Sequence, residues 1–246
     1  MSGLRAAAGL ARSLAIYYGR PWRQRRLARF YAGLLSPGTL AFDVGAHVGN
    51  RARALRAAGA RVVALEPQAP FAAFLRLTLP SDITLVEAAA GPAEGMAELA
   101  VSRLHPTVSS LAGLPGQVGQ VDGFTHVRWD ARQPVQVTTL DALIATHGRP
   151  GFIKIDVEGF EDDVLAGLSH PVPLVALEYL PQMAQVARAA VRRLEGLGPY
   201  RFNVVRGEAQ AFLWPDWRDA GGIDDWLRTQ GPADGSGDLY ARLEGP

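Results

Sequence analysis

Cysteine is absent from the 246-residue sequence. A chain without thiols forms no disulfide scaffold, thiolate zinc site, iron–sulfur cluster or cysteine nucleophile. Long apolar runs are also missing, and none reaches the roughly 18 residues that indicate a membrane-spanning helix. Hydrophobic residues nevertheless make up 48% of the chain and charged residues 20%, which excludes an intrinsically disordered protein. The sequence therefore describes a folded chain that can bury a core without disulfides or a structural metal.

Acidic residues are missing from the first 42 positions, which hold seven arginines, whereas the rest of the chain holds 18 basic and 24 acidic residues. Within this basic stretch, the apolar residues from Leu27 to Leu34 recur at helical spacing. We therefore predict a basic, helical N-terminal leader over residues 1–36, followed by one domain over residues 37–246.

The leader is a candidate for peripheral contact with an anionic membrane or for docking a partner, although such helices more often cap their own domain. Nucleic acid binding is not expected, because neither aromatic interleaving nor a binding motif accompanies the arginines. Arg12 divides the apolar start of the chain, so no secretory signal is expected and a cytoplasmic location is the default. The oligomeric state is left open.

Short apolar runs alternate with helical spacing through most of the predicted domain. Three such runs are predicted strands near its start: residues 40–44, 61–65 and 83–86. The alternation resumes after residue 138, while residues 91–137 are rich in Gly, Pro, Ser and Thr and predict an insertion with short strands at 96–102 and 124–129. Alternating strands and helices predict an α/β fold, with a parallel sheet covered by helices on both faces.

A glycine-rich loop follows the first predicted strand, with Asp43 preceding Gly45 and Gly49. Glycines let the backbone turn sharply and approach a ligand closely. The G-x-x-x-G spacing differs from the G-x-G-x-x-G fingerprint of dinucleotide-binding loops. A carboxylate beside the loop favours a cationic ligand, such as a sulfonium or an ammonium group, over a pyrophosphate. A simple glycine-rich turn is the alternative.

Glu66 ends the second predicted strand, 17 residues after Gly49. This distance fits one helix and one strand, so both residues should reach the same edge of a parallel sheet. An acid at this position of a nucleotide-binding α/β fold accepts the hydroxyls of a ribose. Glu66 alone is a weak signal, but together with the glycine loop it indicates a nucleoside-containing ligand.

The chain's only lysine, Lys154, lies in an apolar predicted strand that continues into Asp156 and Glu158. Strand alternation places Lys154 and Asp156 on one face. Charged groups in a central strand are costly to bury unless they are paired or take part in function. A structural ion pair between Lys154 and either Asp156 or Glu178 is the alternative to a catalytic role.

Together these segments resemble the FkbM family of S-adenosylmethionine-dependent methyltransferases. The resemblance rests on four segments in order: Phe42–Gly49, Ala64–Pro67, Val137–Asp141 and Lys154–Glu161. Ser109 and Ser110 resemble a serine pair in the middle of the family pattern, and His47 departs from it, since the family usually has Asn there. The resemblance implies the class I methyltransferase fold, a Rossmann-like, seven-stranded and mostly parallel sheet whose last strand is antiparallel.

The resemblance also implies S-adenosyl-L-methionine as the cofactor, held at the carboxyl ends of the first three strands. The loop of Gly45, Ala46, His47 and Gly49 would hold its methionyl part, with Asp43 supporting the loop. The remaining implied contacts are to the ribose from Glu66 and its neighbour Pro67, and to the adenine from Glu87 and Ala88.

Methyl transfer to an aliphatic hydroxyl requires a proton acceptor close to the acceptor oxygen. The candidate catalytic residues are Lys154, Asp156, Glu158 and Glu178, and we favour Asp156 as the base because it should face the cofactor. Two histidines are weaker candidates for the base, namely His105 and His126. No metal site is predicted, although a carboxylate at this position could hold a divalent cation.

The function predicted first is O-methylation of a hydroxyl group on a small molecule, sugar or glycan. A second hypothesis is a non-catalytic protein that binds S-adenosylmethionine and acts as a partner or regulatory subunit, because His47 departs from the family pattern. A third hypothesis is a nicotinamide-dependent oxidoreductase on a related fold, against which the missing G-x-G-x-x-G motif counts.

Overall fold

A computed structural model of the chain describes residues 2–101, 110–112 and 131–245. The strand predicted at 124–129 lies outside these residues, as do His105, His126 and Ser109. The eleven strands of the described part are β1 (Leu40–Val44), β2 (Arg61–Leu65), β3 (Ile83–Val86), β4 (Ala89–Ala90), β5 (Gly95–Val101), β6 (Ser110–Ala112), β7 (Ala131–Thr138), β8 (Phe152–Ile155), β9 (Leu174–Tyr179), β10 (Tyr200–Arg206) and β11 (Gly237–Leu243).

Eight α-helices occur in the same described ranges. They are α1 (Ser2–Tyr18), α2 (Pro21–Ala32), α3 (Asn50–Ala57), α4 (Ala69–Thr78), α5 (Leu140–His147), α6 (Glu161–Ala166), α7 (Ala184–Leu197) and α8 (Ala220–Thr229). The leader is therefore two helices where the sequence predicted one, because the chain breaks at Gly19 and Pro21 starts a new helix at its first turn. Helix α8 was not predicted.

Seven strands form the central sheet in the order β10-β11-β9-β8-β1-β2-β3. The pairs from β3 to β9 are parallel, and β11 runs antiparallel to both of its neighbours. This confirms the predicted α/β fold with a seven-stranded, mostly parallel sheet. The carboxyl ends of β1, β2, β8 and β9 meet at one edge, where the sequence places its candidate site residues.

The sheet is buried on both faces because its strands alternate between two hydrophobic clusters. In one cluster, Phe42 and Val44 of β1 pack against α5, α6, α7 and α8. In the other, Ala41 of β1 packs against α2, α3 and α4. Asp43 and Lys154 point to this second face, since they alternate with Phe42 and Ile153. The apolar strands thus carry a few charged side chains into the α2–α4 layer.

The insertion predicted at residues 91–137 contributes a second, four-stranded sheet in the order β4-β7-β5-β6. Its strand β5 matches the prediction at 96–102 closely, and β7 pairs with it in antiparallel register. Strand β4 is only two residues long and follows β3, so this small sheet lies next to the carboxyl edge of the large one.

The second leader helix shares the core of the sheet. Leu27 and Tyr31 of α2 are buried in the cluster on the α3 face, and the ring of Tyr31 lies 5.7 Å from that of Phe152 in β8. In α1, Ser13 is buried and Tyr18 donates a hydrogen bond to the carbonyl of Val48 at 2.9 Å. None of the helices described has the length and apolarity needed to cross a membrane.

Candidate functional site

The carboxyl edge of the sheet opens into a cavity of about 890 Å³, a volume that includes its open mouth. Parallel α/β sheets place their ligands at this edge, where loops leave the strands in several directions. The walls come from distant parts of the sequence. They are the loop after β1, the ends of β2 and β8, strand β4, Leu99 of the small sheet, Arg51 of α3 and Tyr17 of α1.

The loop after β1 has a left-handed backbone that favours glycine at two positions. Gly45 and Gly49 have φ angles of 86° and 77°. A Cβ atom at Gly45 would overlap the carbonyl oxygen of Asp156, so the loop also passes unusually close to the end of β8. The amides of Gly45 and Ala46 both donate to the carbonyl of Leu65, at 3.1 and 2.8 Å. These contacts fix the loop against β2 and leave its inner side facing the cavity.

His47 occupies a left-handed position with φ 51°, a conformation in which Asn, Asp and His are the most tolerated residues other than glycine. This explains physically why His can replace the Asn of the family pattern. Its ring lies 4.2 Å from that of Phe71 and 5.5 Å from that of Tyr17. Burial lowers the pKa of His47 to about 4, so the imidazole is neutral at physiological pH.

Glu66 lies at the end of β2 and lines the cavity. Its carboxylate accepts the backbone N–H of His47 at 2.7 Å and that of Gln68 at 2.8 Å. Burial raises the pKa of Glu66 to about 7, although these two hydrogen bonds act in the opposite direction. Each oxygen has a second lone pair, so the fixed carboxylate can still accept a hydrogen bond from a ligand.

The other residues predicted to bind the cofactor separate into two groups. Ala46, Pro67 and Ala88 line the cavity, whereas Glu87 does not. Instead, Glu87 pairs on the surface with Arg76, at 2.7 Å between Oε2 and Nη2. Asp43 also lies outside the cavity wall and is completely buried beneath the loop. Burial raises its pKa to about 6, against the opposing charges of Arg51 and Lys154.

A network of four charged side chains lies beneath the cavity. Lys154 Nζ is 3.0 Å from Asp238 and 3.4 Å from Asp156, and it also donates to the carbonyl of Ile155 at 2.9 Å. Arg51 of α3 approaches the same two carboxylates, at 3.4 Å from Asp156 and 3.3 Å from Asp238. Two cations thus balance two anions in a largely buried layer.

The network decides the protonation of Asp156. Burial by itself would raise the pKa of its carboxyl group, but the charges of Lys154 and Arg51 outweigh burial and hold the pKa below its usual value. Asp156 lines the cavity and keeps about a quarter of its side chain exposed, at 23%. It therefore presents a permanent negative charge to the cavity.

Glu158 and Glu178 lie next to Asp156, and the charge of Lys154 lowers the pKa of both, although burial outweighs it. Within the described ranges no ion pair reaches either glutamate, and Glu178 Oε2 is a buried atom without a hydrogen-bond partner. Burial, followed by the negative charge of Asp156, raises the pKa of both glutamates well above the usual value. Glu158 also has a left-handed backbone, with φ 55°.

One oxygen from each of Asp156, Glu158 and Glu178 lies within 4.8 Å of an oxygen of the other two. Three carboxylates at this separation are a donor set that hard divalent cations can use. Equally, they can share protons, as the raised pKa values of the two glutamates indicate. The same group of oxygens can also accept hydrogen bonds from a hydroxylated ligand.

Three residues of the site were not predicted from the sequence: Tyr17, Arg51 and Asp238. Arg51 carried a local signal, because it is the second residue of the helix that follows the glycine loop. Asp238 reaches Lys154 only because β11 inserts antiparallel beside β9, where Asp238 pairs in register with Glu178. Tyr17 reaches the cavity because α1 folds back over the loop. Only the tertiary fold could reveal Asp238 and Tyr17 as site residues.

Comparison with known families matches residues 43–232 to the methyltransferase FkbM domain. Among solved structures, precorrin-6Y C5,15-methyltransferase from Geobacter metallireducens GS-15 aligns with 90% of this chain and 87% of its own, at 12% identity and a TM-score of 0.47. An O-methyltransferase from Bacillus cereus in complex with SAH aligns with 96% and 90%, at 13% identity and a TM-score of 0.46. No curated protein matches the sequence.

Proposed function

The chain belongs to the FkbM methyltransferase family, and we propose that it transfers the methyl group of S-adenosyl-L-methionine to a hydroxyl oxygen of a small molecule, sugar or glycan. The observation that carries the choice of oxygen is the group of Asp156, Glu158 and Glu178 beside the cofactor loop. An aliphatic hydroxyl must lose its proton as it is methylated, and a carboxylate without a cationic partner is suited to accept it.

The residues at the carboxyl edge fit the cofactor on physical grounds. Gly45 packs so closely on the carbonyl of Asp156 that no Cβ atom fits, which fixes the loop beside the cavity. The fixed carboxylate of Glu66 offers lone pairs for two ribose hydroxyls. Ala88, Ala89 and Leu99 supply an apolar wall for the adenine. The permanent charge of Asp156 suits a neighbouring sulfonium group.

We assign the proton acceptor to Glu158, whereas the sequence alone favoured Asp156. Asp156 is held between Lys154 and Arg51, which makes its carboxylate a weaker base. Glu158 lines the same cavity, and no described cation lies within ion-pair distance. Its left-handed backbone is an uncommon conformation of the kind that proteins keep at functional sites. Within the cluster, Asp156 is thus the fixed anion, and Glu158 is the carboxylate that can take up a proton.

The bonds and charges of the proposed reaction balance. Bound S-adenosyl-L-methionine would supply the methyl group from its sulfonium, with neutral S-adenosylhomocysteine as the second product. The acceptor hydroxyl forms the new O–C bond, and Glu158 takes its proton. Glu178 lies outside the cavity wall, and its unpartnered Oε2 atom is a further hydrogen-bond acceptor beside Glu158. The protein's main contribution is alignment, because in-line displacement depends on how the two reactants are oriented.

Calorimetric titration with S-adenosylmethionine and S-adenosylhomocysteine, followed by a screen of hydroxylated acceptors, tests the proposal. Saturable binding with methyl transfer to oxygen supports it, and transfer to carbon or nitrogen contradicts the choice of oxygen. Binding without turnover on any acceptor would support the alternative of a non-catalytic partner. If nicotinamide cofactors bind and S-adenosylmethionine does not, the oxidoreductase alternative replaces the proposal.

The role of Glu158 is tested by Glu158→Gln. We expect kcat to fall by about 10²–10⁴-fold while the affinity for S-adenosylmethionine is kept, because the amide cannot accept the proton. The wild-type rate should rise with pH as Glu158 ionises, and the variant should lose this dependence. Glu195→Gln, on the exposed side of α7, is the matched control. Equal turnover in Glu158→Gln and the wild type would remove Glu158 as the base.

A further inference from the structure

The outer face of α2 carries an unusual combination of side chains. Trp22, Arg25 and Arg29 recur at helical spacing and are all exposed, Trp22 to 63%. The opposite face of the helix buries Leu27 and Tyr31 in the core. We call the exposed side of the helix, together with the flanking Arg20 and Arg23, the α2 outer face. Its five residues are Arg20, Trp22, Arg23, Arg25 and Arg29.

We propose that the α2 outer face docks the protein on a membrane surface rich in anionic lipids. This surface is separate from the cavity, and membrane binding there does not depend on the proposed reaction. The negative headgroups of such a membrane complement the arginines, and its interface accommodates an exposed tryptophan.

The charge of this face is not neutralised by any residue that the structure describes. Arg20, Arg23, Arg25 and Arg29 are exposed, and none forms an ion pair with a described residue. The first acidic residue of the chain is Asp43, which is completely buried beneath the cofactor loop. Clustered arginines that are not neutralised attract an anionic lipid surface over about one Debye length.

The net negative charge of the rest of the chain favours one orientation of the protein on such a surface. Residues 43–246 hold 18 basic and 24 acidic residues, so the body of the protein carries the opposite charge to its leader. An anionic surface therefore repels the body and attracts the leader. A protein with this asymmetry should approach the membrane in one orientation, with α2 foremost.

Exposed tryptophan distinguishes a lipid surface from a purely electrostatic partner. Of the five large hydrophobic side chains exposed in the described residues, Ile16 and Trp22 belong to the leader. Tryptophan is enriched at membrane interfaces, where its ring sits at the level of the headgroups. Trp22 lies on the same side of the helix as Arg25 and Arg29, so it can enter the interface while the arginines remain at the headgroups.

The α2 outer face is also free to bind without disturbing the site. None of its five residues lines the cavity. The neighbouring Arg26 points elsewhere, donating a hydrogen bond to the carbonyl of Ala209. Substitutions on the outer face should therefore change membrane binding while leaving the cofactor site intact, which makes the proposal testable with the whole protein.

Co-sedimentation of the full chain with phosphatidylcholine vesicles, with and without phosphatidylglycerol, tests the proposal. We expect binding only to the anionic vesicles, with loss of binding at high salt. Arg25→Glu/Arg29→Glu should weaken binding at least about tenfold. The matched control Arg61→Glu/Arg192→Glu makes the same charge change at exposed positions elsewhere and should bind more tightly than the outer-face variant.

A second pair of variants tests the apolar component. Trp22→Ala should weaken binding to anionic vesicles by about tenfold, whereas Leu77→Ala, which removes another exposed side chain, should not. Circular dichroism and S-adenosylmethionine affinity verify that each variant is folded. Absence of vesicle binding by the wild type, or equal binding by both charge-reversal variants, overturns the proposal. Tighter binding to a single-stranded RNA than to the vesicles would assign the face to nucleic acid instead.

Discussion

The two sides of the cavity are built in different ways. The side proposed to bind the cofactor, called the cofactor side, comes from one stretch of chain between Asp43 and Ala90, where β1, β2 and β3 bring the glycine loop and Glu66 together. The side proposed to bind the acceptor, called the acceptor side, combines Tyr17, Arg51 and the residues after β8, and Asp238 supports it from near the end of the chain. The first side depends on backbone shape, and the second depends on a balance of charges.

This difference predicts how each side should respond to substitution. A backbone-built site fails when a side chain is added where none fits. A charge-balanced site fails when one member of the network is removed, because its partners remain buried without compensation. Substitutions on the two sides should separate these two responses, and a control variant keeps the chemical change but moves it to a site without the proposed constraint.

The largest effect is expected on the acceptor side. Lys154→Met should destabilise the fold by about 3–5 kcal/mol, because it leaves Asp156 and Asp238 with only Arg51 to balance them. Chemical denaturation measures the change. Because the pKa of Asp156 lies below its usual value through Lys154 and Arg51, the variant should also lose stability as pH rises, when Asp156 is ionised without its lysine.

A double variant sharpens this prediction. Asp238→Asn combined with Lys154→Met restores the charge balance and should recover part of the lost stability, so the two changes should not be additive. Arg56→Met removes a cation from an exposed pair with Asp82 and should change stability far less. If Lys154→Met and Arg56→Met have similar effects, the layer beneath the cavity is not charge-balanced in the way described.

On the cofactor side, Gly45→Ala should destabilise the protein by about 2–5 kcal/mol and remove S-adenosylmethionine binding. The added Cβ atom combines the strain of a positive φ with an overlap at the Asp156 carbonyl. Gly38→Ala is the matched control, since Gly38 also has a positive φ, 82°, but no atom lies within 4 Å of its Cβ position. This variant should lose only about 1–2 kcal/mol of stability, from the backbone strain, and should still bind S-adenosylmethionine.

The same contrast explains what the sequence could predict. Gly45, Gly49 and Glu66 were predicted because loop spacing and strand ends are local properties of one βαβ unit. The strand alternation that placed Lys154 and Asp156 on one face was also local. By contrast, the partner of Lys154 was expected to be Asp156 or Glu178, and Asp238 is an additional partner. That pairing depends on where the antiparallel strand β11 inserts in the sheet, which no spacing within the chain specifies.

Glu87 shows that sequence-based prediction also failed at one position on the cofactor side. The resemblance to the family implied that it lies near the adenine, but its side chain turns outward to Arg76. The alternation of side chains near a strand end can be reversed by one residue, and the sequence does not fix that register. Ala88, one residue later, lines the cavity as expected.

A smaller effect is expected from Glu66→Gln, which should weaken S-adenosylmethionine binding by about 1.5–3 kcal/mol through the loss of hydrogen bonds to a charged acceptor. Glu87→Gln makes the same chemical change outside the cavity and should leave the affinity unchanged. Calorimetric titration of both variants gives the comparison. Equal affinities in the two variants would contradict the assignment of Glu66 as the residue that binds the ribose.

The smallest effect is the pH dependence of cofactor affinity, and it follows from the same carboxyl group. Burial raises the pKa of Glu66 to about 7, so its carboxylate is mostly protonated at pH 6 and mostly ionised at pH 8. Ribose hydroxyls donate better to the ionised form. Affinity should therefore rise with pH, by at most about tenfold over this range. His47, with a pKa of about 4, stays neutral throughout and does not contribute.

Glu66→Gln provides the control for this dependence, because its amide does not titrate. The variant should bind weakly at both pH values, with a nearly flat profile between them. A pH dependence that persists in Glu66→Gln would point to another buried carboxyl group: Asp43, whose pKa burial raises to about 6 beneath the loop, or Glu158 of the cavity wall, whose pKa burial raises well above its usual value. The cofactor side would then also depend on buried charge, and the contrast between a backbone-built and a charge-balanced side would no longer hold.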